Sequence, residues 1–425
     1  MNRAVDVAII GGGPGGMQAA IELGTKGIDA ILVDRQVGKP DAPDGIVTIP
    51  RRCEMFGQGP CGHPEGSGEW SDAAEGPLHD ILLAGRKNLG IWHSDENLGY
   101  NFRREAFWSQ MLQSVKDLGI ETVDTTITAA RKQENGVILE SAGGEINAKL
   151  VIYAGGVRGD DRLPGELGIG QPPVVHGIFT NYEFDGIWNS PELNVLFNLD
   201  LVPTGYFWCA YARKSKMVSI GILNESSQVD PSTLRKFTNA GIIPELKEAP
   251  ATFQLESGTL GAVSHVKSSG WPVKLTSDRV INVGESSGMI ASYIYEGIFS
   301  ARYEGMTAAR VMSRILEEGN DADPTATRSY EELVDKLNDY VLHISRQQHH
   351  AMYHCGSNSR ITIESYLKGL KAENKHIINA LREQYLRFSN YSRFELGLFK
   401  AIISNVPFLN KLSVTGSLIS ARMKK

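Results

Sequence analysis

The sequence predicts an α/β fold. A parallel sheet flanked by helices carries an inserted antiparallel sheet and leads into a helical C-terminal region. Three observations predict it: an apolar strand at the start of the chain runs straight into a glycine-rich turn and a helix; short alternating strands cluster between about residues 174 and 258; and helical patterning dominates after Asn320.

Ala4-Val5-Asp6-Val7-Ala8-Ile9-Ile10 is apolar, β-branched and of strand length. It meets Gly11-Gly12-Gly13-Pro14-Gly15-Gly16, then a helical pattern from Met17 to Thr25 and a second strand, Ala30-Ile31-Leu32-Val33, ending on Asp34. This is G-x-G-x-x-G between a strand and a helix, with an acid about 20 residues on. Gly11 permits the tight turn, Gly13 lets the backbone approach a pyrophosphate, and Gly16 allows close packing of helix on strand. The helix start at Pro14-Gly15 offers N–H groups and a positive dipole end to that pyrophosphate, and Asp34, followed by Arg35, can accept from a ribose hydroxyl. The pattern predicts dinucleotide binding.

Gln36 to Tyr100 is rich in Gly, Pro and charge with little periodicity, and Gly57 to Gly76 reads as extended loop. Arg51-Arg52 and Cys61-Gly62-His63 lie within it; Cys61 and His63 are too close together to form a metal site alone. After Arg103-Arg104, a helix is expected from Glu105 to Leu118, with Phe107, Met111, Val115 and Leu118 on one face. Thr126–Ala130 and Gly136–Glu140 read as a hairpin through Asn135-Gly136. Lys149–Ala154 reads as a buried strand closing on Gly155-Gly156.

The inserted sheet is expected from strands at 177–184, 192–198, 205–212 and 217–223, with a high density of aromatic rings. Arg279–Val283 then returns to a buried strand ending at Gly284-Glu285-Ser286-Ser287-Gly288, before a helix from about Glu296 to Leu316, a second anion-ready turn. These patterns divide the chain into a discontinuous nucleotide-binding domain (1–80, 101–173, 270–318), a substrate-binding sheet (81–100, 174–269) and a helical region (319–425).

With 425 residues, two or three lobes are expected. The net charge of −6 argues against nucleic acid as a partner, since no broad basic field exists to neutralise phosphates. Four cysteines without C-x-x-C spacing suit a reducing cytoplasm. No apolar stretch is long enough to span a membrane, and the first apolar run reads as a strand rather than a signal peptide.

In this order the motifs resemble the flavoprotein superfamily of aromatic hydroxylases, flavin-dependent halogenases and geranylgeranyl reductases. Four separated pieces carry the resemblance. The first glycine turn with Asp34 resembles the family's FAD pyrophosphate and ribose site. Arg104 with Phe107 resembles an R-x-x-F helix start whose arginine lies along the FAD. Leu150 to Gly156 resembles a strand ending in A-D-G, with Gly155 at the position of the acid. Gly284 to Ala309 resembles the G-D-A-A-G…E-G-I stretch, with Glu285 at the position of the aspartate and Ser292 at that of a proline. The resemblance implies a Rossmann-like FAD-binding domain of the glutathione-reductase type with FAD as cofactor. It implies that Gly11, Gly13, Pro14, Gly15, Gly16, Asp34, Arg35, Arg104, Gly155, Gly284, Glu285, Gly288, Gly297 and Ile298 line the cofactor.

The best match within the superfamily is to geranylgeranyl reductases. Glu296-Gly297-Ile298 resembles their E-G-I, and Gly205–Tyr211 with Val218–Ile222 resembles their aromatic strand pair, although Ala210-Tyr211 replaces an F-P pair. The resemblance implies that Tyr206 and Trp208 line an apolar substrate cavity, and Glu296 is the third candidate at the reacting centre. The expected reaction is hydride transfer from reduced flavin to a C=C bond of an apolar, isoprenoid-like substrate. The alternative is a monooxygenase or halogenase acting on an aromatic ring such as a phenol or tryptophan. A non-enzymatic flavin-binding assembly protein is a third reading. The electron donor is either NAD(P)H or a separate reductase, and Gly155 removes the acid tied to nicotinamide handling in the hydroxylases.

Two further features stand out. His349, His350, His354 and Cys355 cluster on an expected helix, with His350 and His354 at i, i+4; no H-E-x-x-H glutamate accompanies them, and no metal is expected. Residues 393–425 carry six basic residues (Arg393, Lys400, Lys411, Arg422, Lys424, Lys425) against one acid, Glu395, interleaved with large apolar side chains. Such an end can lie on an anionic membrane as a peripheral contact, dock a partner protein, or pack on the chain's own core.

Overall fold

The computed structural model describes residues 3–40, 45–51, 74–157, 162–172, 174–225, 230–250, 256–262, 273–291, 296–337, 343–386 and 395–423. Arg52, Cys61, His63, Ser292, Arg393, Lys424 and Lys425 lie outside them.

The first sheet runs Thr276–Ser277, Val280–Asn282, Gly144–Tyr153, Arg3–Ile10, Ala30–Asp34, Glu121–Asp124, and the pairs from Val280–Asn282 to Glu121–Asp124 are parallel. Its middle strands are apolar throughout because both faces are covered. Val7, Ile9, Leu32 and Ile152 pack against the Pro14–Thr25, Arg104–Asp117 and Ile298–Glu317 helices. Ala8, Ile31, Val33 and Val151 face the Ile127–Gln133/Gly136–Ser141 hairpin. That hairpin branches off the outer half of Gly144–Tyr153 by antiparallel pairing.

The second sheet runs Glu256–Ala262, Val174–Glu183, Met217–Asn224, Gly205–Ala212, Leu193–Leu196, Asp80–Ala84, Leu89–His93. It is antiparallel except where Leu193–Leu196 lies parallel to Asp80–Ala84. That parallel pair departs from the expected all-antiparallel sheet: the strands come from distant parts of the chain, so no short hairpin dictates their direction. One face packs on the Pro231–Asn239 helix, whose start is capped by Asp230 accepting from the Ser232 N–H. The other face packs on the C-terminal helices, through Tyr353, Tyr366, Leu367, Leu381 and Ile402.

Between Gln36 and Tyr100, a stretch of little periodicity, the described residues include strands; of the extended loop expected from Gly57 to Gly76, residues 57–73 lie outside the described residues. Ile46–Pro50, Gly99–Arg103 and Ala74–Leu78 form a third sheet between the other two, and Gly76 sits in one of its strands. These strands are short and pair only across long sequence separations, so no local hairpin signal marks them.

Both glycine turns hang on one helix crossing. Pro14–Thr25 packs on Ile298–Glu317 so closely that a Cβ on Gly305 would lie 2.1 Å from the carbonyl oxygen of Gly15. Alongside, the buried Arg302 donates from Nε to Gln18 at 2.9 Å, and Arg310 pairs with Glu22 at 2.7 Å. In an ordinary helix interior, alanine is preferred over glycine by about 1 kcal/mol. Here the obstruction is backbone and cannot swing aside. Gly305→Ala is therefore expected to destabilise the protein, by about 1–3 kcal/mol, as overpacking does. Thermal melting checks the sign; a raised Tm would show that the two helices can separate at little cost.

Candidate functional site

The two turns meet beyond the carboxyl ends of the parallel strands, where open α/β sheets hold ligands. In the first, Gly11 has φ +107°, and a Cβ there would lie 2.2 Å from the Ala154 carbonyl oxygen and 2.9 Å from the Gly155 nitrogen. Only glycine permits that approach. A Cβ on Gly16 would lie 1.9 Å from the Gly11 carbonyl oxygen. Gly13 is the opposite case, since nothing lies within 4 Å of its Cβ position. The helix behind it has Pro14 at its first position, no side-chain cap and no acid in its first turn. The open space at Gly13 thus lies at a positive helix end whose first N–H donors have no side-chain cap, a cradle that fits a pyrophosphate.

Asp34 accepts from the Gly12 N–H at 2.6 Å and from the Gln36 N–H at 2.8 Å, bracing the turn. A carboxylate has further lone pairs, so a ribose hydroxyl can still donate to it. Arg35, next along, is exposed.

The second turn is a 3-10 turn, Gly284–Ser287, closed by Gly288 at φ +73°. Ser286 and Ser287 are fully buried, with their hydroxyls donating back to the Val283 and Gly284 carbonyls. Glu285 is half-buried at its edge. Glu296 accepts from the Phe299 N–H at 2.9 Å, satisfying a free donor at the start of the helix that Gly297 and Ile298 open. That bond gives the Glu296 carboxylate a structural task in addition to the reacting-centre role expected of it.

Arg104 opens the Arg104–Asp117 helix, and its guanidinium lies over the Phe179 ring, 5.6 Å from the centroid. Phe179 pairs with Gly221, and Gly221 pairs with Trp208. Directly paired residues share a sheet face. A Cβ on Gly221 would fall 2.0 Å from the Trp208 ring, so the indole lies flat across that glycine. Tyr206 and Trp208 point to this face, while Phe207, Cys209 and Tyr211 point to the other. Beyond Tyr206 the rings continue to Phe197, with centroids 6.1 Å apart. Phe197 lines a cavity of about 440 Å³ between the sheet and the C-terminal helices, together with Leu199, Ile361, Asn405 and Pro407.

One residue escaped the sequence reading. Glu304 is wholly buried beneath the second turn, accepting from the Gly284 N–H at 2.9 Å and the Tyr330 hydroxyl at 3.1 Å. Burial pushes its carboxyl from the ordinary 4.5 up to about 8, against the opposing pull of the hydrogen bonds donated by the Gly284 N–H and the Tyr330 hydroxyl. An acid eight residues into a helix gives no sequence signal unless the inward face of that helix is known. The protonated form is favoured by folding, so between about pH 4.5 and 8 the folded chain holds more proton than the unfolded one. Stability is therefore fully present below that window and falls as pH rises through it. Glu304→Gln is expected to flatten this slope, which denaturant titrations across the window measure; an unchanged slope would assign it to other groups.

The comparisons agree with this geometry. Residues 4–60 match the FAD binding domain family. Over 356 residues the chain is 22% identical to digeranylgeranylglycerophospholipid reductase 2 of Methanosphaera stadtmanae, covering 78% of this chain and 83% of that protein. A geranylgeranyl bacteriochlorophyll reductase-like protein of Thermoplasma acidophilum superposes with a TM-score of 0.71 at 18% identity, covering 94% of this chain and all of that one. The flavin-dependent brominase Bmp2 superposes with a TM-score of 0.66 at 16% identity, covering 93% and 98%. With an open cradle at Gly13 and an FAD-binding front end, the chain is an FAD-dependent oxidoreductase of the fold shared by geranylgeranyl reductase-like proteins and flavin-dependent halogenases.

Proposed function

We propose that the chain is a reductase that saturates C=C bonds of a long, apolar, isoprenoid-like substrate. The observation that carries this reading is the set of aromatic residues on one sheet face, Phe179 under Arg104, then Trp208 and Tyr206, the last in ring contact with Phe197, which lines a cavity whose rim is charged (Arg86, Lys87, Asp200, Arg360). A chain-like substrate needs a long apolar track; a single aromatic ring needs only a compact pocket. The relatives named as digeranylgeranylglycerophospholipid reductases support the same class. Bound flavin would supply the hydride, with electrons drawn from NAD(P)H or a separate reductase.

The residues of this chain have four tasks in the reading. Gly13, Gly15 and Gly16 hold the pyrophosphate, Asp34 the ribose, and Gly284 to Gly288 with Gly155, Gly297 and Ile298 the remainder of the cofactor. Arg104, held over Phe179, joins the cofactor lobe to the substrate face. Trp208 and Tyr206 exclude water and align the alkene. Glu296 holds the start of the Ile298–Glu317 helix in place beside the reacting centre.

A geranylgeranyl lipid supplied with dithionite-reduced protein should be saturated without oxygen. Trp208→Ala is expected to keep its FAD and lose at least tenfold in turnover. Were the indole only core, its loss would appear as roughly 3–5 kcal/mol of stability, with FAD lost alongside the fold. Turnover of an aromatic substrate that requires O2, with none of the lipid, would transfer the assignment to a monooxygenase.

The same reading places the chain at a lipid surface. Phe408, Leu409 and Leu412 are 85%, 93% and 89% exposed, and Ile419 joins them on the final helix. Leu396 to Met423 contains Lys400, Lys411 and Arg422 and no acid. Leu398 and Ile402, by contrast, are core residues, so among the described residues the outward apolar surface of this end centres on the Phe408–Leu412 tip, with Ile419 beside it. Apolar tips flanked by cations suit an anionic bilayer. Pro407, next to the tip, lines the cavity that reaches Phe197, so a lipid chain could pass from one to the other. No helix among the described residues is long and apolar enough to cross a membrane. Co-sedimentation with phosphatidylglycerol vesicles is expected for the wild type and lost in a Phe408→Asp/Leu409→Asp/Leu412→Asp variant of unchanged Tm; equal binding by both would exclude this tip as the contact.

A further inference from the structure

We propose that Glu225, His349 and His354 form a binding site for a divalent transition-metal ion of the zinc class, outside both glycine turns. Glu225 follows the Met217–Asn224 strand of the second sheet. His349 lies on the His343–Tyr353 helix, and His354 immediately follows it. Both imidazoles direct Nε2 at the one carboxylate: His349 at Oε1, and His354 at Oε2 from 3.0 Å. The ligand atoms all lie within 4.8 Å of one another. Around a tetrahedral zinc with bonds near 2.1 Å, ligand atoms stand about 3.4 Å apart, so the two histidines need only draw back slightly from the carboxylate they now contact to admit an ion.

The residue types and their burial favour an ion. The Glu225 and His349 side chains are 7% and 3% exposed, so a carboxylate is held beside an imidazole almost out of water. A divalent cation between these groups would lower the cost of holding a carboxylate almost out of water. His354 is 32% exposed, leaving an entry path and a fourth position for water. Two imidazoles, borderline donors, beside one hard carboxylate favour a transition metal such as zinc, cobalt or nickel over calcium or magnesium.

The site differs from the pair suggested by helical spacing. His350 and His354 stack with centroids 6.0 Å apart, but His350 does not belong to the converging set. The third ligand is an acid from another lobe, so the H-E-x-x-H test misses it. A bound ion would fasten the end of the strand paired with the Tyr206 strand to the C-terminal helices. The site stands independently of the proposed reaction.

The test uses the full-length, FAD-loaded protein stripped with EDTA and titrated with Zn2+ by calorimetry. Wild type is expected to take up one ion per chain and to melt at a higher temperature with it. His354→Ala, half-exposed and tolerable to the fold, and the near-isosteric Glu225→Gln are each expected to weaken binding at least tenfold, while His350→Ala retains it. Replacement by Co2+ is expected to give visible absorption beyond the flavin bands in wild type and His350→Ala, and not in His354→Ala or Glu225→Gln. Failure of the wild type to bind one equivalent, or binding by Glu225→Gln and His354→Ala as tight as wild type, overturns the site.

Discussion

Close contact between the Pro14–Thr25 and Ile298–Glu317 helices is the constraint on which the rest of the structure depends. One helix begins at the first glycine turn, and the other follows the second. Their spacing therefore sets the distance between the two walls of the proposed cofactor cradle. With Gly305 against the Gly15 carbonyl and Arg302 bonded to Gln18, nearly 300 residues of intervening chain are closed into one site. No exposed salt bridge could hold that spacing, since such pairs contribute about 0–1 kcal/mol. A backbone-to-backbone approach, backed by Ala19, Ala308 and Ala309 in the core, leaves no slack.

The second turn is held from below by a buried acid. Glu304 accepts from the Gly284 N–H, which orients the turn, and burial keeps it protonated over much of the ordinary pH range. A neutral carboxyl there leaves the cradle free of a negative charge that would oppose a pyrophosphate. The same residue thus serves packing and electrostatics, and its cost appears as pH-dependent stability.

The inserted sheet divides its labour by face. Phe207, Cys209 and Tyr211 join the Pro231–Asn239 helix in an ordinary core, with Trp188 stacked on Tyr211 at 4.4 Å. On the opposite face Gly221 removes a side chain where Trp208 needs room, so the ring lies across the strand instead of standing between neighbours. The C-terminal helices roof that face and leave the cavity at Phe197. This arrangement supports the reading of a long apolar substrate over a compact aromatic one.

The sequence by itself determined the features whose physics is local. The strand–glycine turn–helix unit, the alternation that sends Tyr206 and Phe207 to opposite faces, and the Asn135-Gly136 hairpin each depend on neighbours within a few residues. Turn conformation and period-two geometry are properties of short segments. Tertiary structure alone decided the rest. The strands at Ile46–Pro50 and Ala74–Leu78 exist because Gly99–Arg103 lies between them. Leu193–Leu196 runs parallel to Asp80–Ala84 because packing, not a turn, joins them. Glu304 and the Glu225–His349–His354 cluster draw their character from burial and from partners far away in sequence. Desolvation and convergence of distant side chains have no local signature, which is why those sites emerge only when the chain is folded.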